Sequence, residues 1–252
     1  MKTIILLLTF LLILFLYNAC SEKTTKKQPE VLDLAHRGYA SKHQEATLEA
    51  FMNAIEENAD GLEFDIRQTK DNVIVVAHDN KINKLEKNIA ELNYLEIQKH
   101  TSIVTFKKII KLAKEHQKDI WVEIKDSELY PKIIDNILEI IKEEKYAKKT
   151  IIQSFKLSDL KYIHSKNINI RLLKLYIFQY SFDKLPKYIN YIGLPIVLGF
   201  INSNIIASIH ESGYKIVFWR ESSIFEKKYF IRKLINSGAD GFMLDSPLKF
   251  FK

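Results

Sequence analysis

Glu63 and Asp65 stand two residues apart in the stretch Gly61-Leu62-Glu63-Phe64-Asp65-Ile66-Arg67, opposite a row formed by Leu62, Phe64 and Ile66. That alternation is the period of a β-strand. Two carboxylates on one strand face are expensive to bury unless something cationic meets them. A divalent metal is one answer, because hard cations take oxygen ligands from Asp and Glu. A solvated strand face or a pair of surface ion pairs explains the two acids equally well if they stand alone. They do not. His36-Arg37-Gly38, His78-Asp79 and Glu123-Ile124-Lys125 each close a short apolar run, and strand alternation puts Glu123 and Lys125 on one face. Taken singly, His36 reads as a satisfied core histidine and Glu123 with Lys125 as an ordinary ion pair. Taken together, Glu63, Asp65 and Glu123 can supply a metal site, and His36 and His78 can share base and acid work near neutral pH. Arg37 and Lys125 can hold an anion, the first by a planar fork and the second as a point charge. One metal, two proton carriers and two cations are what a phosphodiester requires.

Such a set needs a scaffold that delivers it. Residues 31–35, 61–67, 73–77, 120–124, 150–153, 171–176, 196–200, 215–219 and 241–244 read as strands. Helical patterns fall at 47–58, 106–117 and 133–144, with further stretches near 157–165, 203–211 and 225–236. Strand and helix in regular succession imply a parallel sheet with crossover helices. The number of units suits a closed (β/α)8 TIM barrel, in which the site is built at the C-terminal ends of the strands. Asn58-Ala59-Asp60-Gly61 leading to Asp65 is echoed by Gly238-Ala239-Asp240-Gly241 leading to Asp245, as repeated barrel units would give. Nine strands compete for eight places. Thr69-Lys70-Asp71-Asn72 is a turn too short for a helix. Residues 73–77 are therefore either the hairpin partner of 61–67 or a barrel strand reached without a helix. Both arrangements bring His78 to the two carboxylates. A short polar insertion then precedes 120–124, and it promises little cover for the barrel mouth.

The 252 residues, 47% hydrophobic and 27% charged, can bury a full core as one large domain or two small ones. The net charge of +7 comes from lysines spread along the chain. That spread argues against a nucleic-acid binder and fits an anionic membrane surface or simple compositional drift. Residues 1–20 read as a signal peptide: Lys2 is the charged start, and Ile4 to Tyr17 is nearly all apolar yet short for a bilayer. Cys20 is the single cysteine, so no disulfide forms within the chain. It resembles the lipidated cysteine of bacterial lipoproteins, with an uncleaved anchor as the alternative. Residues 21–30 form a polar tether and 31–252 the barrel domain. The expectation is an exported lipoprotein held to a bacterial envelope membrane through Cys20. Nothing in the sequence fixes an oligomeric state.

From residue 33 to residue 247 the chain resembles the glycerophosphodiester phosphodiesterase family. The motifs that carry the resemblance are His36-Arg37-Gly38, Gln44-Glu45-Ala46-Thr47 with Ala50-Phe51, Asn58-Ala59-Asp60, Glu63-Phe64-Asp65 and Thr69-Lys70-Asp71. Val75-Val76-Ala77-His78-Asp79, Glu123-Ile124-Lys125, Ser154-Phe155 and Gly238 to Pro247 complete the ordered set. The resemblance implies metal-dependent hydrolysis of a small glycerophosphodiester to an alcohol and glycerol 3-phosphate. It implies Ca²⁺ or Mg²⁺ on Glu63, Asp65 and Glu123, His36 and His78 as base and acid, and substrate contacts from Arg37, Lys125, Glu45, Phe155 and Trp219. Cleavage of intact membrane lipids, or a surface-binding barrel without turnover, are the rival readings. Gln44 and Ala46 replace the family's Pro and Asn, no Arg-Thr follows His78-Asp79, and Trp219-Arg220-Glu221-Ser222 stands for Trp-Thr-Val-Asn. These departures bear on substrate choice and leave the expected metal ligands and histidines untouched.

Overall fold

Phe64 explains why the outer faces of these strands are apolar. Its ring meets Phe51 edge-on at 5.6 Å and Phe106 at 6.0 Å, one from each of two helices laid against the sheet. A strand with helices outside it and other strands across the axis inside has no solvated face, so Gly61–Gln68 is buried at every position. The computed structural model describes residues 30–177, 185–196, 203–220 and 226–251. The barrel unit begins at Val31.

In chain order the described elements are β1 (Leu32–His36), α1 (Leu48–Glu56), β2 (Gly61–Gln68), β3 (Ile74–Val76), β4 (Lys81–Ile82), β5 (Lys87–Asn88), α2 (Tyr94–Gln98), β6 (Val104–Thr105) and α3 (Phe106–Glu115). They continue as β7 (Asp119–Ile124), α4 (Ile133–Glu143), β8 (Thr150–Ser154), α5 (Leu157–Ser165), β9 (Arg171–Leu175), β10 (Tyr191–Pro195), α6 (Ser203–Glu211), β11 (Lys215–Trp219), α7 (Lys228–Asn236) and β12 (Gly241–Leu244). β1, β2 and β7 to β12 pair with one another in parallel, and β1 pairs with both β12 and β2. The sheet therefore closes on itself as an eight-stranded (β/α)8 barrel.

β3 answers the question of the ninth strand. It runs antiparallel to β2, with Ile66 opposite Val76 and Gln68 opposite Ile74, so residues 73–77 form a hairpin outside the barrel. The barrel's third strand is β7, reached through α3. Asp65 faces Ala77, whose N–H donates to the Asp65 carbonyl at 3.0 Å, and His78 follows at once. The stretch from 80 to 105 has a small apolar core of its own, with Ile89, Leu92 and Ile97 packed on Val75.

The strand expected at 196–200 lies earlier, at Tyr191–Pro195. Ile196 follows it, and residues 197–200 fall outside those described. Apolar residues run on through this region, so periodicity does not set the boundary, and Gly193 and Pro195 read as breakers. Gly193 is needed inside the strand: a Cβ there would stand 2.6 Å from Leu175 Cδ2. Pro195 closes the strand where its missing N–H does no harm.

Leu34, Trp121, Ile151, Leu173, Val217 and Met243 fill the barrel interior as an apolar plug. Two residues further along the same strands stand His36, Glu123, Gln153, Leu175, Trp219 and Asp245. Strand alternation thus stacks the site directly on the plug.

Candidate active site

β1 ends at His36, and the chain turns away through Arg37 and Gly38, at φ of +50° and +87°. Only glycine suits the second place, because a Cβ on Gly38 would lie 2.8 Å from the backbone of Ala50 and Phe51, where α1 packs. α1 starts at Leu48 because the Thr47 hydroxyl caps it, accepting from the Ala50 N–H at 3.2 Å. The Arg37 N–H donates to the Glu63 carbonyl at 2.9 Å, which ties this turn to β2.

Glu63, Asp65 and Glu123 converge as the sequence suggests. All three are buried, and they offer one oxygen each within 4.8 Å of one another. Lys125 Nζ lies 3.1 Å from Asp65 Oδ1 and 2.5 Å from Glu123 Oε1. Arg37 Nε is 3.2 Å from Asp65 Oδ2, and its Nη1 meets both oxygens of Glu45 at 3.1 and 2.9 Å. Gln153 donates to Glu63 Oε1 at 2.5 Å.

The charges follow from burial. Burial, then repulsion from Asp65 and Glu123, holds the Glu63 carboxyl well above the usual carboxylate range. Glu123 is pushed up to about 8, first by burial and then by Asp65. Burial pushes Asp65 up as well, but Lys125, Arg37 and the two histidines outweigh it and leave its carboxyl below the usual range. Three buried acids share Lys125 and Arg37, the latter also held by Glu45, so burial and mutual repulsion favour keeping a proton on Glu63 or Glu123.

That arithmetic is also the test for a metal. The donors are all hard oxygens, they are close together, and the Gln153 carbonyl oxygen beside Glu63 has no hydrogen-bond partner. The residues fit a Ca²⁺- or Mg²⁺-type ion.

His36 and His78 reach the same cavity by different routes. His36 Nδ1 is 2.6 Å from Asp245 Oδ1, just past the end of β12. His78 Nδ1 is 2.9 Å from Asp79 Oδ1, and its carbonyl accepts from Arg67 at 3.1 Å (Nε) and 2.6 Å (Nη2). Arg67 is buried and also pairs with Asp126, just past Lys125. Phe155 and Trp219 form one wall, edge to face at 5.9 Å. The cavity measures about 210 Å³, and His36, Arg37, the three acids, His78, Lys125, Phe155 and Trp219 all line it. Beyond His78, residues Asp79, Asn80, Lys81 and Asn83 line an adjoining cavity that shares His78 and Lys125 with this one.

A sequence profile of the glycerophosphoryl diester phosphodiesterase family matches residues 36–249, from the first histidine to just beyond β12. The chain belongs to that family. A glycerophosphodiester phosphodiesterase of Caldanaerobacter subterraneus subsp. tengcongensis is 25% identical over 245 residues, covering 86% of this chain and 95% of its own. The solved glycerophosphodiester phosphodiesterase of Thermotoga maritima is 28% identical, with a TM-score of 0.71 over 86% of this chain and 95% of its own. An Oleispira antarctica phosphodiesterase, solved with its product sn-glycerol-3-phosphate, shares the fold with a TM-score of 0.76 at 18% identity, over 88% and 95% of the two chains.

For this member of the glycerophosphoryl diester phosphodiesterase family, Arg37, Lys125, Phe155 and Trp219 all line the cavity, and Glu45 stands behind Arg37. Glu45 is not among the residues lining the cavity; it grips Arg37 from the outer side and so positions that cation. Cys20 lies outside the described residues. Four residues joining the site were not singled out from sequence: Gln153, Arg67, Arg220 and Asp245. The repeat ending in Asp245 and the altered strand end at Arg220 were visible signals for two of them.

Proposed function

We propose that this chain hydrolyses glycerophosphodiesters to an alcohol and glycerol 3-phosphate, with Ca²⁺ or Mg²⁺ held by Glu63, Asp65 and Glu123. The observation that carries the reading is the meeting of both histidines, three acids, Arg37 and Lys125 in one cavity. When bound, the metal neutralises phosphate charge and makes the glycerol hydroxyl beside the phosphate easier to deprotonate. Arg37 and Lys125 hold phosphate oxygens against the mouth. One histidine takes the proton of the attacking glycerol hydroxyl, and the other gives a proton to the leaving alcohol oxygen as its bond to phosphorus breaks. Water then completes the hydrolysis. Both rings bond to an aspartate through Nδ1, which leaves Nε2 for this work. A small cavity lined mostly by charged and polar groups favours a water-soluble diester over an intact two-chain lipid.

Purified protein supplied with glycerophosphocholine should release choline and glycerol 3-phosphate. Excess chelator should stop release, and Ca²⁺ or Mg²⁺ should restore it. Full turnover in chelator would remove the metal from the reading, and no release by metal-loaded protein would remove the reaction.

We propose also that Cys20 carries lipid and that residues 21–30 tether an exported barrel to its membrane. The leader's sequence supports this, as does a barrel that begins at Val31, directly after the tether. Mass spectrometry of the mature N-terminus should find lipidated Cys20; any other terminus overturns the anchor.

A further inference from the structure

Asp245 has a partner on each of its two oxygens. His36 Nδ1 is 2.6 Å from Oδ1, and Arg220 Nη2 is 2.6 Å from Oδ2. Glu226 braces the pair from behind: it accepts from the N–H of Asp245 at 3.3 Å and of Ser246 at 3.0 Å, and it lies 3.5 Å from Arg220 Nε. Arg220 itself lines the cavity mouth, at the strand end where this chain departs from its family's pattern.

The inventory of donors fixes what this row does. A guanidinium carries only N–H groups and a positive charge, so Oδ2, 2.6 Å from Arg220 Nη2, is held as the negative end of an ion pair. The carboxylate also accepts at Oδ1, so the shared proton sits on Nδ1 of His36 and Nε2 is the nitrogen left for substrate. We infer that Asp245 and Arg220 are positioning residues that set the ring orientation and tautomer of His36, Arg220 acting only through Asp245. The inference rests on the reaction proposed above, in which His36 meets substrate.

The arrangement makes an unusual demand on variants. Asp245→Asn exchanges one oxygen for an amino group. With Arg220 in place, the amide oxygen must face the guanidinium, so the amino group faces His36. It donates to Nδ1 and drives the ring proton to Nε2, the wrong tautomer. Replacing Arg220 with alanine as well frees the amide to turn over. Its oxygen then accepts from Nδ1–H, and the working tautomer returns.

Asp245→Asn should lower kcat by roughly two to four decades with KM little changed, the scale of a histidine forced into the wrong tautomer. Arg220→Ala should cost about tenfold or less, and the double variant should recover at least about tenfold over Asp245→Asn. Nitrogen-15 NMR of histidine-labelled protein reads the ring directly, with the His36 signals assigned by their loss in His36→Ala. The wild type should show Nδ1–H, Asp245→Asn should show Nε2–H, and the double variant should show Nδ1–H again. A folded double variant no more active than Asp245→Asn overturns the inference. An unmoved tautomer in Asp245→Asn overturns it whether or not substrate is turned over. Tautomers that move as stated in a protein inert toward glycerophosphocholine support the positioning role and defeat the reaction.

Discussion

The two histidine corners of the cavity use the same pair, a ring Nδ1 against an aspartate oxygen, in opposite settings. At the first, His36 and Asp245 are 12% and 16% exposed, and Arg220 grips the carboxylate from behind. At the second, His78 and Asp79 are 36% and 76% exposed, and Asp79 has no such backing among the described contacts. An exposed pair in high dielectric holds weakly. The second corner is instead held through its backbone, by two hydrogen bonds from buried Arg67 to the His78 carbonyl. Side-chain partners position one ring, and main-chain grip positions the other.

The carboxylates that both corners overlook are the place to break the two at once. Glu123→Ala should abolish turnover, measured as glycerol 3-phosphate release. In metal-free protein, Glu123 at about 8 and Glu63 well above its ordinary 4.5 stay protonated where the unfolded chain has lost those protons. The folded state then binds more protons, so its stability falls as pH rises from about 4.5 to 8. Melting temperature without metal should drop across that window, and saturating metal should remove most of the drop. Glu123→Gln should flatten the metal-free curve, leaving the part due to Glu63 and to Glu226, which burial and Asp245 raise to about 7. A metal-free protein that gains stability toward pH 8 would contradict the charge count.

Next come the rings. His36→Ala and His78→Ala should each lower kcat by roughly two to four decades. Since they serve one displacement, the double variant should be hardly worse than either alone. Additive losses in single-turnover assays would separate the two corners into different steps.

The smallest effects sharpen the contrast itself. Arg67→Ala should cost roughly ten- to a hundredfold in kcat, through misplacement of His78, and should lower the melting temperature. Asp79→Ala should cost less than about fivefold, the scale of an exposed pair. An Asp79 effect larger than that of Arg67 would mean that side-chain pairing rules the second corner after all.

How far the sequence announced this site depends on whether a residue's role is local. Glu63 and Asp65 were legible because period-two alternation is a local property of β2, and Glu123 with Lys125 for the same reason. The barrel was legible from the succession of elements. The Arg67 grip was not: the residue sits on the same strand face as the acids, yet its partner is a carbonyl eleven positions away across a hairpin that sequence left undecided. Gln153 carries no signal, since its amide meets a carboxylate two strands away, Glu63 of β2, across β7. At β10 a continuous apolar run hid the boundary, and the glycine and proline that mark loops elsewhere lie within the strand.

The first strand brings His36 and the last brings its aspartate, 209 positions later in the chain. The first strand is also seamed to the last along four residue pairs, and the Leu248 N–H, beyond the last strand, donates to Asp33 Oδ2 at 2.8 Å. During synthesis the N-terminal half is finished while its closing edge has nothing to pair with. Contacts of such long sequence separation form late and slowly. A nascent or truncated chain that stops before β12 therefore holds His36, the acids and an open seam, but not the pair of His36 with Asp245. The His36–Asp245 pair thus reports that β12 has reached its place beside β1.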